Sequence, residues 1–154
     1  MHLIEQLANQ RAAMISLVGF AAVAEEIVAF AGQNARVSIH RAGERRGKRM
    51  VLKRSKLSFW EPVYALESWD DGVRRLVDRL GGWGHVRALR AKYNPDDMWL
   101  QLDVPFYGTP YVESSTLDIQ TIRQMAEAGL SLAVEAFDFD AAQPTHHPVV
   151  PLQD

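Results

Sequence analysis

The chain has 154 residues, 47% of them hydrophobic, which predicts one globular domain with a core of its own. It contains no cysteine, so disulfide scaffolds, thiolate metal sites and cysteine nucleophiles are excluded. A formal net charge of −2 provides no overall field that would attract nucleic acid or an anionic membrane.

The sequence predicts no transmembrane helix, because no apolar run reaches about 18 residues. Residues 12–24 are apolar enough to resemble a secretory signal, but a single Arg precedes them. Glu25 and Glu26 then continue the same helical pattern, which argues against a signal. We therefore expect a cytoplasmic protein that does not bind membranes.

The first half of the chain predicts a β-α-β unit. Residues 12–20 are almost continuously apolar, as expected for a strand covered on both faces. A helix is predicted over residues 22–31, because apolar side chains recur along one face and Gly32 follows where a helix end favours glycine. Residues 36–40 alternate as a short strand. The predicted inner face of the helix consists of Val23, Ile27 and Phe30.

The composition changes between residues 41 and 56. This segment holds eight of the 17 Lys and Arg residues of the chain and a single acid, Glu44. Two glycines within it indicate a hairpin or loop. Residues 57–60 are predicted to form the strand that leaves the segment, and Pro62 to end that strand.

Two helices are predicted next, over residues 68–80 and 85–93. Ser68 and Asp71 have the spacing of a capping box at the start of the first helix. The inner face of that helix is predicted to be Val73, Leu76, Val77 and Leu80. Its predicted i,i+4 ion pairs are Asp70–Arg74 and Asp71–Arg75.

A strand, a helix and a second strand are predicted to follow. Residues 98–106 and 130–139 alternate apolar and polar side chains. Between them, Ser115 and Asp118 have capping-box spacing, and Gly129 marks the helix end. The predicted inner face of this helix consists of Ile119, Ile122, Met125 and Ala126.

The order of these elements predicts an α+β fold. Two β-α-β halves flank the basic segment and the helix pair, which favours an open sheet with helices packed on one face, a ferredoxin-like two-layer sandwich. We expect a single domain over residues 12–140. An N-terminal extension over residues 1–11 precedes it, and a flexible, proline-containing tail over residues 141–154 follows it.

No arrangement of residues predicts catalysis, a metal site or a cofactor. The five His residues never stand at i,i+4 spacing. Adjacent carboxylates on a helix diverge by about 100°, so they do not converge on one substrate. The motifs of P-loops and of nucleophile elbows are absent. The sequence therefore predicts a protein that is not an enzyme.

The basic segment is the most distinctive candidate site. Its charge suits a phosphate backbone, but the aromatic residues that usually stack on bases come only at its end. It also suits an acidic protein partner, or a loop that is only solvated. The candidate partner-binding residues of the segment are Arg45, Arg46, Lys48, Arg49, Lys53 and Arg54. Tyr107 and Tyr111, on a loop with Gly and Pro, are added because exposed aromatic rings suit protein interfaces.

Several segments together carry a family resemblance. They are the apolar strand at residues 14–20, the helix of residues 23–32, the basic stretch from Val37 to Glu44, Trp60 with the helix of residues 68–80, and the helix–strand unit of residues 117–138. In these segments, over residues 12–139, the chain resembles the bacterial domain-of-unknown-function family 4279. The basic hairpin is longer here than in the family pattern.

The resemblance implies a non-catalytic role, since the family has no catalytic residues to carry over. Such domains resemble small proteins encoded beside polymorphic bacterial toxins, in which an immunity protein binds and blocks its toxin. We therefore expect a non-enzymatic protein-binding module, an immunity protein with a toxin as its partner. The alternative is a nucleic-acid-binding or regulatory protein that uses the basic hairpin.

Overall fold

One central strand of nearly unbroken apolar residues organises the sheet. The computed structural model describes residues 11–32, 34–46, 48, 50–64, 66–106 and 116–138. The strands are β1 Arg11–Val18, β2 Arg36–His40, β3 Arg45–Arg46, β4 Met50–Val51, β5 Lys56–Val63, β6 Asp97–Phe106 and β7 Ser131–Asp138. The helices are α1 Ala24–Ala31, α2 Trp69–Arg79, α3 Trp83–Tyr93 and α4 Ile119–Glu127.

The main sheet has the strand order β2-β5-β1-β6-β7, and β3 with β4 forms a second sheet. All neighbours in the main sheet are antiparallel except β6 and β7, which are parallel. Strand β5 inserts between β1 and β2, and β6 flanks the other side of β1, as in a ferredoxin-like sheet. The predicted fold class, an open α+β sheet with helices on one face, is confirmed.

The elements of the fold are grouped differently from the two β-α-β halves that the sequence predicts. Both β-α-β units are present, β1-α1-β2 and β6-α4-β7. The ferredoxin-like part, however, is completed by β5, α2, α3 and β6. Helix α4 and strand β7 are therefore an addition that extends the sheet by one edge strand.

The core occupies one layer between the sheet and the helices. Side chains alternate between the faces of each strand, and on β1 the helix side carries Ala13, Ile15 and Leu17, all without exposed surface. Buried side chains of all four helices close this layer from above. No described helix is long and apolar enough to span a membrane.

The helix ends follow their sequence signals. The Ser68 side chain accepts a hydrogen bond from the Asp71 backbone N–H over 3.1 Å, as the capping box predicts. Gly32 and Gly129 take positive φ angles of 108° and 78° at the ends of α1 and α4. The cap of α4 is Asp118, whose carboxylate accepts from the Thr121 N–H at 2.8 Å. Ser115 lies outside the described residues.

Two predicted helix faces are partly wrong. On α1, Val23 precedes the first turn and is 64% exposed, whereas Ile27 is buried. On α4, Ile119 and Ile122 are 74% and 43% exposed, and Ala126 is exposed as well. The buried face of α4 is Thr121, Met125 and Ala128. This face turns inward because α4 packs beside α3, where the Arg90 side chain lies against Gly129.

The predicted end of β5 and the predicted ion pairs of α2 are also wrong. β5 continues through Pro62, because β2 begins only opposite Trp60 and leaves β5 with one neighbour at that point, where a strand tolerates proline. Arg74 pairs with Asp71 at 3.0 Å instead of Asp70. Arg75 turns toward the sheet and binds Glu67 instead of Asp71.

Candidate docking surface

The basic segment forms a small hairpin outside the main sheet. Arg45 pairs with Val51 across its two short strands. Below them, the Gly43 N–H donates to the Leu52 carbonyl oxygen at 2.8 Å, and the Leu52 N–H donates to the Glu44 carbonyl oxygen at 3.0 Å. The hairpin connects β2 to β5, so it projects from one end of the sheet.

Two arginines tie the base of the hairpin to the body of the protein. Arg41 pairs with Glu25 at the start of α1, and Arg54 pairs with Asp96 at 3.3 Å. The hydrogen bond from Arg41 contributes to a lowered pKa of Glu25, after the larger effect of hydrogen bonding to the Glu25 backbone. All four side chains are exposed, so these pairs orient the hairpin more than they stabilise the fold.

Three further cations of the hairpin have no such partners among the described residues. Arg45, Lys48 and Lys53 are exposed and form no ion pair with any described residue. They are three of the predicted partner-binding residues, and the structure brings them onto one projecting element. For Arg46 only the backbone is described, and Arg49, Tyr107 and Tyr111 lie outside the described residues.

A buried acid on β5 forms a cluster that the sequence did not reveal. Glu61 is 1% exposed, and its carboxylate binds Arg75 at 3.3 Å, Arg79, and Arg36 at 3.6 Å. Arg75 also binds Glu67, whose pKa it lowers mainly through that hydrogen bond. The i,i+4 spacing of Arg75 and Arg79 was visible in the sequence, but the acid that they share comes from a distant strand.

An open groove of about 490 Å³ runs along the outside of this cluster. Its charged lining consists of Arg74, Arg75, Arg79, Glu67, Asp71 and Asp78. Cations and acids are equal in number and several already pair with one another, so the groove has no net charge to select a ligand. We assign this cluster a structural role, joining α2 to β5.

A second polar cluster lies on the sheet face opposite the helices. Asp103 on β6 has no exposed surface and stands beside Glu135 of β7 in the strand register. The Gln101 amide donates to Asp103 Oδ1 at 2.7 Å and to Glu135 Oε2 at 2.9 Å. Asp103 Oδ2 is buried and has no hydrogen-bond partner within the part of the chain that the structure describes.

The environment of Asp103 favours its protonated form. Burial raises the pKa of Asp103 to about 7, the Gln101 hydrogen bond opposes this rise, and the nearby charge of Glu135 adds to it. Such a carboxyl group can exchange a proton near neutral pH, but without exposed surface it cannot reach a substrate. Among the described residues, no group of three His, Asp or Glu side chains is placed to hold a metal ion.

Two aromatic residues of the same sheet face, Trp60 and Trp99, are already covered by cations of the chain. The Lys56 ammonium group lies 5.3 Å from the centre of the Trp99 ring, and the Arg36 guanidinium group lies 5.3 Å from the Trp60 ring. Trp60 is buried, and Trp99 is half-buried. These rings therefore stabilise the sheet surface and are not open stacking platforms.

Comparison of the chain with protein-family models, with curated proteins and with solved structures gives no match in any of the three. The resemblance to family 4279 therefore stays a prediction.

Proposed function

We propose that the protein is a non-catalytic protein-binding module whose basic hairpin docks against an acidic surface of a partner protein. The observation that supports this proposal is the projecting hairpin with Arg45, Lys48 and Lys53 exposed and unpaired among the described residues. The narrower form of the proposal, an immunity protein whose partner is a toxin, rests on the family resemblance alone.

The physics of exposed charges defines what such a hairpin does. Each exposed ion pair contributes only about 0–1 kcal/mol, because water and salt screen it. Several like charges on one projecting element act together on diffusional encounter, so they raise the association rate more than they slow dissociation. The hairpin is therefore expected to steer the partner, with other contacts holding it.

Two features favour a protein partner over nucleic acid. The chain as a whole is slightly acidic, whereas nucleic-acid-binding domains usually carry a net positive charge. On the sheet face opposite the helices, the rings of Trp60 and Trp99 are covered by Arg36 and Lys56, so they are not available to stack on bases.

The test compares charge reversal at the hairpin with charge reversal elsewhere. One variant carries Arg45→Glu, Lys48→Glu and Lys53→Glu, and a control of equal charge carries Arg74→Glu, Arg87→Glu and Arg123→Glu at exposed positions outside the hairpin. Each is used to capture partners from the native host, and the association rate of the captured protein is then measured at two salt concentrations. We expect a slower association rate for the hairpin variant alone, and added salt should reduce the wild-type rate in the same way.

The same proteins are titrated with labelled DNA and RNA. Tight binding of the wild type near physiological salt, with a steep salt dependence and loss in the hairpin variant, would contradict protein docking and favour the nucleic-acid alternative. Equal association rates for the two charge-reversed variants would mean that the hairpin is a solvated loop.

A further inference from the structure

The outer edge of the main sheet at β7 is unusually apolar. β7 pairs with β6 along its whole length and has no second neighbour among the described residues. Leu132 and Val134 point to the helix side of the sheet, yet they are 45% and 55% exposed. An edge strand of this kind offers both unpaired backbone groups and apolar side chains.

The opposite edge of the sheet is protected in the usual ways. β2 has only five residues, and it carries Arg36 and His40. Its core-side residues Val37 and Ile39 are half-buried against the core. β7 has eight residues, and between Ser131 and Ala136 it contains one charge and neither proline nor lysine.

We propose that β7 is the interface of a homodimer, in which the β7 strands of two copies pair antiparallel about a two-fold axis. A two-fold axis perpendicular to the sheet keeps the helices of both copies on one side and joins the two sheets into one. Because β7 can pair with a second β7 turned about this axis, the partner that we propose for this edge is a second copy of the chain.

Strand length and charge together define the register. Residues that face each other across an antiparallel pair must lie on the same face of the sheet. The two-fold axis therefore lies midway between the two copies of one β7 residue, and "an axis at" a residue means this arrangement. The middle of β7 lies between Val134 and Glu135, so these two registers give the greatest overlap. An axis at Glu135 would oppose two carboxylates, which is destabilising. An axis at Val134 places Glu135 opposite Ala133 and Leu132 opposite Ala136, and it opposes no like charges.

The available area indicates a weak dimer. Ile119 and Ile122 on α4, the crossover helix to β7, are exposed on the same side of the sheet as Leu132 and Val134. These four side chains together expose on the order of 400 Å² of apolar surface per copy. With the paired backbone, these surfaces of two copies reach about the lower limit of specific interfaces, so we expect a roughly micromolar dissociation constant.

Cysteine cross-linking tests the register, since the chain has no cysteine of its own. In Val134→Cys the two introduced residues face each other across the axis, with Cα atoms about 4.5–5.5 Å apart, within the span of a disulfide. We expect mild oxidation to give a covalent dimer. In Leu132→Cys the two residues lie about 13 Å apart, four positions along the strand, so no covalent dimer should form. Cross-linking of Leu132→Cys alone would overturn the register and with it this proposal.

Sedimentation of the uncross-linked protein tests the association itself. The wild type should pass from monomer to dimer as its concentration rises through the micromolar range. Val134→Lys should remain a monomer, because it places two ammonium groups on the axis. Val23→Lys, at an exposed valine away from β7, should dimerise like the wild type. Circular dichroism shows whether both variants are folded. A wild type that stays monomeric at every concentration, or equal dimerisation of both variants, would overturn the proposal.

Discussion

Asp103 on β6 is a single residue that can make the stability of the fold depend on pH. It alternates with apolar neighbours on β6, and this pattern predicts a polar residue on an outer face. The structure instead buries it completely beside Gln101. Alternation identifies the face of a strand, but it carries no information on whether that face is covered, so the burial of Asp103 could not be predicted.

The raised pKa of Asp103 predicts a pH-dependent stability. Between about pH 4 and pH 7 the folded state holds a proton on Asp103 that the unfolded chain has lost. The free energy of unfolding therefore falls as pH rises through that window, and it stays at the lower value above pH 7. Asp103→Asn removes the titration and keeps an acceptor for Gln101. We expect the variant to be more stable than wild type at pH 8 by on the order of 2–4 kcal/mol, with little difference near pH 4.

Denaturant unfolding at pH 4, 6 and 8 measures this difference. Glu135→Gln provides the control, because Glu135 is exposed and its charge is a smaller cause of the shift than burial. Wild type and Asp103→Asn with parallel pH profiles would show that the carboxyl group is not held in its neutral form.

At the scale of elements, a helix with many neighbours buries the face that its sequence predicts, and a helix at the edge of the layer does not. α2 lies across β5 and β1, and the predicted face residues Val73, Leu76 and Val77 are all buried. α4 lies at the edge of the helix layer and packs mainly beside α3, so only part of its apolar surface is covered. Its exposed Ile119 and Ile122 satisfy the same helical period as core residues, and the sequence offers no signal to separate them.

Two substitutions on α4 distinguish its buried face from its exposed face. Met125 is 7% exposed, and Met125→Ala should lower the free energy of unfolding by about 2–4 kcal/mol through lost contacts and a cavity. Ile122→Ala should cost less than about 1 kcal/mol, because Ile122 is already largely in contact with water. Shifts of the denaturation midpoint measure both. An equal or larger loss at Ile122 would mean that the face predicted from the sequence is the buried one.

At the scale of the whole molecule, a ferredoxin-like frame carries two additions, the basic hairpin and the α4–β7 unit. The order of strands and helices predicted the class, because local periodicity and caps locate each element. The pairing of β5 between β1 and β2 and the edge position of β7 are set by contacts between distant segments, which no local pattern encodes. The surfaces that we propose for binding both lie on the additions.

Because the basic hairpin is an addition to the ferredoxin-like frame, we expect that frame to fold when the hairpin is removed. His40 and Lys56 are paired in the main sheet, and deletion of residues 44–52 leaves six residues to connect them. The pairs Arg41–Glu25 and Arg54–Asp96 are retained, and no core residue is lost. Shortening the connection lowers the entropy cost of closing it by less than about 1 kcal/mol. We therefore expect a free energy of unfolding within about 1 kcal/mol of wild type, together with slower association of the partner. An unchanged association rate would remove the hairpin from the proposed docking surface, and a loss of stability above about 2 kcal/mol would assign it to the fold instead.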